Sequence, residues 1–326
     1  MSPNTAASAP FAPPPLVSVI ITCYNGARWI ADAVDSALAQ SYPRLEIIVV
    51  DDASADDSPD ILRRYATDER VQLVLQDTNR GIPATKNAGV ARSSGQYIAF
   101  LEQDDVWFEH KLERQVTRME GEPSLGMVFA DAVVAGPDER GYRGRSRHGI
   151  PAATEECVKT FFLFNPVVSM SSALFRRAVL ADLGGFDESY AGGDDYELFL
   201  RLVGRHRVAR IDEPLLRYRW SYDSFSWEAM DRMLHDQLLT VQRAVALYPY
   251  LGPLRRRRTA HVWLSAALRS FEAGATSRAF GWAWRALRAD PSFLRTVPAC
   301  LLMTTGGLGR WILRRRRWTV LFARVP

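Results

Sequence analysis

The chain has 326 residues, of which 47% are hydrophobic and 24% charged. This excludes a mini-protein, a disulfide scaffold or a disordered chain, and predicts one large domain with appendages or two domains. The net charge of +4 hides a polarity: Leu251 to Pro326 holds 15 Arg against two acidic residues, a net +13 that leaves the first 250 residues at −9. Phosphate affinity needs Lys and Arg where the contacts are made, so nucleic-acid binding by the main body is excluded and any polyanion or membrane contact falls to the tail.

Met1 to Pro15 is rich in Ala, Pro and Ser without the basic start and apolar stretch of a secretory signal, and reads as a disordered lead-in. From Leu16, short apolar runs alternate with amphipathic stretches, the pattern of βαβ units and a mostly parallel sheet. Strands are predicted at Val17 to Thr22, Leu45 to Val50, Val71 to Leu75 and Tyr97 to Leu101. Helices are predicted at Arg28 to Gln40, Ser58 to Tyr65 and Pro83 to Arg92. The chain then reads as irregular to about Phe162, with a strand-like stretch at Val167 to Phe175, and helices dominate from Ser226. In the tail, helices are predicted at Arg255 to Ala273, Thr276 to Ala289, Pro291 to Met303 and Arg310 to Arg317. No run reaches the roughly 18 apolar residues of a spanning helix. Cys23, Cys157 and Cys300 are an odd number without CxxC spacing, and read as small buried residues in a reducing compartment.

In open α/β sheets, ligands sit beyond the carboxyl ends of the strands. Those ends are Cys23-Tyr24-Asn25-Gly26, Asp51-Asp52-Ala53-Ser54 and Glu102-Gln103-Asp104-Asp105. An isolated Asp pair is by default a solvated turn, but Asp104 and Asp105 at a strand end suit magnesium or manganese, which share one or two carboxylates with substrate phosphates. Asp51 or Asp52 could accept from a base N–H or a ribose hydroxyl, and Asp56 or Ser58 can cap the next helix without them. Asn79-Arg80-Gly81 with Lys86-Asn87 offers a loop and a cation at a helix start. Asp194-Asp195, after Gly192-Gly193, opens a helix and could cap it. GxGxxG after a strand, GxxxxGK[ST], HExxH and GxSxG are all absent from the sequence, which leaves carboxylate and metal chemistry.

In order and spacing, Val17 to Asn25, Ile48 to Ser54, Asn79 to Asn87, Phe100 to Trp107, Ser171 to Arg177, Gly184 to Asp187 and Asp194 to Leu198 resemble the motifs of family 2 nucleotide-sugar glycosyltransferases. The resemblance covers roughly Pro15 to Ser226. It implies a GT-A fold, with a mostly parallel sheet between helices and an inverting transfer. It implies that Thr22, Cys23, Tyr24 and Asp52 hold the nucleotide base with Lys86 nearby, where relatives usually have Arg. It places Asp104 at the ribose and metal, Asp105 on the metal and Asp195 at the general base, with Asp194 the second choice because relatives often have Glu there. Glu102 replaces a usual Asp. The cofactor expected is Mg2+ or Mn2+, the donor a UDP, dTDP or GDP sugar, and the acceptor a hydroxyl, with a lipid-linked saccharide as one form.

The expected organisation is a lead at 1–15, a GT-A domain at 16–225 and a helical, Arg- and Trp-rich extension at 226–326. The extension suits either a helical bundle packed on the catalytic domain with a solvated basic face, or contact with an anionic membrane at the inner face of the cell, in the cytoplasm. Two other functions compete: a sugar-nucleotide nucleotidyltransferase, for which Tyr24 to Arg28 is a poor triphosphate loop, and a binding module that has lost its chemistry, which would have no need of both a metal loop and a base.

Overall fold

A computed structural model of the protein describes residues 13–135, 141–144, 149–219, 230–292 and 303–306. The β-branched runs form β1 (Val17–Cys23), β2 (Leu45–Asp51), β3 (Val71–Leu75) and β4 (Tyr97–Glu102), parallel and ordered β3-β2-β1-β4. Three of these strands run one residue beyond their predicted ends because the ladder continues, with Cys23 paired to Asp51 and Thr22 to Glu102. α1 (Ile30–Leu38), α2 (Ser58–Arg63) and α3 (Ile82–Arg92) connect them. α1 starts later than predicted because the N–H groups of Trp29 and Ile30 close a turn onto the Gly26 carbonyl. α3 lies tight on β1 at Gly89, where an added Cβ would stand 2.4 Å from Ile20 Cγ2. After β3 the chain returns to the other side of β1 to form β4, so the sheet's switch point lies between β1 and β4.

The stretch expected to be irregular instead carries β5 (Val106–Trp107), α4 (Lys111–Gly121), β6 (Leu125–Ala135), β7 (Gly141–Gly144) and α5 (Thr154–Phe164). β6 is buried along most of its length and therefore lacks the alternation of a surface strand. α4 shows only Leu112, Val116 and Met119 as its buried apolar face among charged residues. The strand expected at Val167 to Phe175 shrinks to β8 (Ala173–Arg176), because the Ser169 hydroxyl accepts the Ser171 N–H at 3.1 Å and starts a 3-10 turn at Met170–Ser172. α6 (Arg177–Asp182), α7 (Asp194–Val203) and β9 (Arg207–Arg219) follow, and β9 escapes the sequence reading. β8 runs antiparallel between β4 and β6, β9 lies parallel to β6, and β5 and β7 close on β9 and β6, so a mixed half completes the parallel one.

Alternation along β1 divides the core. Val17, Val19 and Ile21 pack with Ile30, Val34 and Ala37 of α1, while Ile20 faces Phe100, Phe175 and Phe199 on the other side. The helices after Met230 join this second cluster. Leu234, Val241 and Ala244 of α8 (Met230–Leu247), Leu251 of a 3-10 turn, and Val262 and Ala266 of α9 (Arg255–Glu272) are all part of it. α10 (Thr276–Ala289) packs its Ala279, Ala283 and Ala286 face on α9, with Trp263 and Trp282 stacked at 5.1 Å. Cys23 and Cys157 are buried free thiols. Cys300, residues 1–12 of the lead, most of the predicted helix from Pro291, and the helix from Arg310 lie outside the described residues, as do Trp311 and Trp318.

Candidate active site

The loops leaving β1 and β2 are bonded to one another by backbone N–H groups donating to side-chain oxygens. The Asn25 N–H donates to Ser54 Oγ at 2.9 Å, Gly26 N–H to Ser58 Oγ at 2.9 Å and Ala27 N–H to Asp56 Oδ2 at 2.9 Å, while Asn25 Oδ1 accepts from Ala55 N–H at 2.8 Å. These ties hold Asn25 and Ala53 at positive φ of 49° and 60°, a conformation costly for a residue with a Cβ and kept only where surroundings enforce it. Across the switch point, the Tyr24 N–H donates to Gln103 Oε1 at 2.8 Å, and the Tyr24 ring stays 48% exposed. Asp51 accepts from the N–H and hydroxyl of Ser54. Asp52, buried, accepts from the N–H groups of Arg80 (2.7 Å) and Gly81 (2.9 Å) and so ties the loop before α3 to the same edge. The expected nucleotide residues Thr22, Cys23, Tyr24 and Asp52 thus gather at the ends of β1 and β2, with Cys23 buried and its thiol pushed up to about 12 by that burial.

The acidic edge has an internal division. Asp105 is fully buried, with Oδ2 accepting from the Ser169 hydroxyl at 3.0 Å and Oδ1 from the Arg219 N–H at 3.1 Å. The same Ser169 hydroxyl also lies 3.0 Å from Glu102 Oε2. Asp104 is half-buried and, among the described residues, takes no hydrogen bond from another side chain, so its oxygens are the open ones of the pair. Burial pushes all three carboxyls above their ordinary range, and Asp104 with Glu102 pushes Asp105 further. Among the described residues no three acidic, His or Cys side chains form a ready metal cage. Two carboxylates that repel one another, one with open oxygens, are the donor set of a hard cation that takes its remaining ligands from water and phosphate.

Three residues that the sequence reading passed over complete this edge. Ser169 orients two carboxylates. Arg219, at the end of β9, spreads its guanidinium 4.4 Å over the Trp29 ring, donates to Asp32 Oδ2 at 2.6 Å and keeps the Asp104 carboxyl from rising further. Its Nη1 is buried and, among the described residues, has no hydrogen-bond partner. Tyr218 is held in its neutral hydroxyl form by burial and by the charges of Asp105, Glu102 and Asp104. No motif marks these residues because their partners lie far off in sequence, up to 187 positions for Arg219 and Asp32.

The third corner is the start of α7. Gly193, at φ +80°, turns the chain so that Asp194 and Asp195 enter the first helical turn, where acidic groups are favoured. Asp194 is buried and receives the Lys86 ammonium at 2.9 Å. Lys86, expected near the nucleotide, forms this ion pair and lies 5.2 Å over the Phe186 ring. Burial lowers its proton affinity, but Asp194, Glu102 and Asp195 together hold it above the ordinary lysine value. Asp195 is half-buried, with Oδ1 accepting from the Tyr196 N–H at 2.7 Å. Burial, and then the charge of Asp194, raise it to about 6 against the pull of Lys86. Among the described residues, Asp194 is paired with a cation and Asp195 is not.

Strand-end loops joined at the switch point, an acidic edge and a raised carboxylate at a helix start meet at one end of the sheet. The glycosyl transferase family 2 model matches residues 18–184, and the chain belongs to that family, with the GT-A fold. TuaG of Bacillus subtilis (strain 168), named for teichuronic acid biosynthesis, is 45% identical over 106 residues, 32% of this chain and 42% of TuaG. The glycosyltransferase EpsE of the same organism is 30% identical over 234 residues, 70% of this chain and 81% of EpsE. The chain spans only 28% of a Rickettsia bellii glycosyltransferase to which it is 30% identical over 206 residues. Among solved structures, S. aureus TarS 1–349 in complex with UDP-GlcNAc aligns at TM-score 0.61 and 16% identity, covering 90% of this chain and 88% of TarS 1–349. The mannosyltransferase PcManGT from Pyrobaculum calidifontis, in complex with GDP-Man and Mn2+, aligns at TM-score 0.59 and 22% identity, covering 99% of this chain and 88% of PcManGT.

Proposed function

We propose that the protein is an inverting, metal-dependent glycosyltransferase that moves a sugar from a nucleoside-diphosphate donor to a hydroxyl acceptor. The carrying observation is the pairing of an acidic edge with a single uncommitted base: Asp195, raised to about 6, senses the charge of Glu102 at the strand end. In this reading Asp195 takes the acceptor's proton as its oxygen attacks the anomeric carbon, and the nucleoside diphosphate leaves from the opposite face. One base suffices for a single displacement, whereas a retaining double displacement needs a second carboxylate as nucleophile. Tyr24 and Asp52 border the base pocket, with Thr22 and Cys23 behind them in β1. Asp104 is the residue to hold magnesium or manganese, supported by Asp105, which Ser169 and the Arg219 N–H orient. That cation, when bound, neutralises charge on the departing diphosphate.

TuaG, named for teichuronic acid biosynthesis, supports an acceptor in surface polysaccharide or glycolipid synthesis. We place the enzyme at the cytoplasmic face of the membrane, on a lipid-linked acceptor. No helix among the described residues is long and apolar enough to cross a membrane. α10 instead turns Phe280 and Trp284 outward, 39% and 62% exposed, beside exposed Arg278, Arg285 and Arg288, a mix that suits an anionic lipid surface.

Thermal unfolding with UDP, dTDP, GDP and CMP, each with and without Mn2+, tests the donor site in the wild type and in Asp104→Ala. A nucleotide at a hundred times its dissociation constant adds about 2.7 kcal/mol. One nucleoside diphosphate is expected to stabilise the wild type only with Mn2+ and not to stabilise Asp104→Ala; stabilisation by none of them overturns the reading. Sedimentation with phosphatidylglycerol vesicles tests the surface, where Trp284→Ala with Phe280→Ala is expected to lower binding and unchanged binding removes the α10 contact.

A further inference from the structure

Along α8, Asp236, Thr240 and Arg243 stand at i, i+4 and i+7, one stripe of a helix whose Leu234, Val241 and Ala244 enter the core. Every member of the stripe meets the segment that leads into α7. Asp236, buried to 5%, accepts with a single oxygen, Oδ2, from the N–H groups of Ala191 (2.8 Å) and Gly192 (3.0 Å). Thr240 Oγ1 lies 3.2 Å from the Tyr190 hydroxyl. Arg243 Nη1 donates to Asp187 Oδ2 at 2.7 Å, and its guanidinium lies 5.3 Å over the Tyr190 ring. Gly192 is itself the last of these anchor points, and Gly193 alone then separates it from Asp194-Asp195.

We propose that this stripe positions the general base, so that α8, which lies outside the stretch matched by the family model, sets the turnover of the enzyme. The inference rests on the assignment of Asp195 as base. A Gly-Gly segment has the widest conformational freedom a chain can have, so by itself it would let Asp195 wander. The structure fixes it from both ends: Asp236 pins the peptide at Ala191 and Gly192, and Lys86 pins the carboxylate of Asp194. Asp195 follows in the first turn of α7 with its own carboxylate left uncommitted to any cation. An Asp236 carboxylate buried only to orient two backbone N–H groups is costly unless those bonds are kept, and the geometry keeps both on one oxygen. Asp236 is in this sense a positioning residue, acting through the backbone, with Thr240 and Arg243 in support.

The test uses the full chain as wild type, Asp236→Leu, Asp236→Asn, Thr240→Val and Arg243→Gln. Amide hydrogen exchange reads the clamp directly: Asp236→Leu is expected to speed exchange across 187–195 by about tenfold or more while the strands β1, β2 and β4 keep theirs. Hydrolysis of UDP-GlcNAc, UDP-glucose and GDP-mannose with Mn2+, water standing in for the acceptor, reads the consequence. Asp236→Leu is expected to lower kcat about 100-fold with the donor KM unchanged, the cost of a base misplaced by about an ångström. Asp236→Asn, whose amide oxygen can accept both N–H groups, retains most of the turnover, and Thr240→Val and Arg243→Gln fall in between. Unchanged exchange at 187–195 in Asp236→Leu overturns the proposal, as does an Asp236→Asn enzyme as slow as the Leu variant, or a loss that falls on KM. If Asp236→Leu fails to fold, Thr240→Val and Arg243→Gln decide by the same exchange and kcat readings. A wild type that hydrolyses none of the three donors counts against the functional reading, and the exchange experiment still decides the clamp.

Discussion

The proposed donor end and base end of the site are built in opposite ways. At the donor end, the loops after β1 and β2 cross-bond through backbone N–H groups and short side chains, with partners about 30 residues apart in consecutive βα units. At the base end, Asp194 reaches Lys86 over 108 positions, Asn87 holds the Phe186 backbone over 99, and α8 reaches back 44 and 45 to Gly192 and Ala191. The first half needs only its own strands and helices, and the second needs the whole chain folded. Substitutions at the donor end are therefore expected to act on nucleotide affinity, and those at the base end on turnover or on stability.

The largest effect expected is at Asp195. Asp195→Asn removes the proton acceptor while keeping the shape, so kcat should fall about 100- to 10,000-fold with nucleotide binding intact, measured as donor hydrolysis beside nucleotide thermal shifts. A loss of nucleotide binding in that variant would erase the division between the halves. Next comes the buried pair. Lys86→Met strands the Asp194 carboxylate, and urea unfolding is expected to show a loss of about 3–5 kcal/mol that a Lys86→Met, Asp194→Leu double variant largely recovers.

The pH dependence sharpens the same boundary. As the proposed base, Asp195 must be charged to act and titrates at about 6, so kcat/KM should fall tenfold for each pH unit below that value. Lys86 draws Asp195 downward, and its removal should move the acid limb to higher pH, whereas a limb unmoved by Lys86→Met would mean that the ion pair does not touch the base.

The smallest effect separates two buried lysines. Lys111 has no exposure, and its ammonium has Gln115 Oε1 at 2.7 Å and the Trp107 ring at 3.9 Å, with no carboxylate beside it among the described residues. Burial holds it well below the ordinary lysine value, the reverse of Lys86. The unfolded chain then binds a proton that the folded one releases, so this group's contribution to stability rises with pH up to about 10.4, the unfolded lysine value. Lys111→Met should raise the melting temperature at neutral pH by about 2–4 °C for each kcal/mol gained, and should flatten that rise with pH. A lowered melting temperature would show that the Gln115 bond outweighs the burial of the amine.

The sequence alone carried the parallel half, because β1 to β4 alternate with helices whose apolar spacing is local and whose strand ends carry turn and acid residues. The same locality made Asp52, Asp104, Asp105 and Asp194-Asp195 legible as candidates. It did not reveal β6, β9 or α4, where burial on two faces or a charge-rich surface hides the period. Nor could it divide Asp104 from Asp105, or pair Lys86 with Asp194. Those outcomes belong to tertiary structure, because which carboxylate is buried, which oxygen is occupied and which cation is nearest depend on Ser169, Arg219 and Asp194 arriving from remote strands and helices. The helices after Met230, read from sequence as an extension either packed on the catalytic domain or meeting a membrane, pack Leu234, Val241 and Val262 into the same apolar cluster as Phe175 and Phe199. Hydrophobic burial is indifferent to sequence distance, so the chain's remote end could become a wall of its active site.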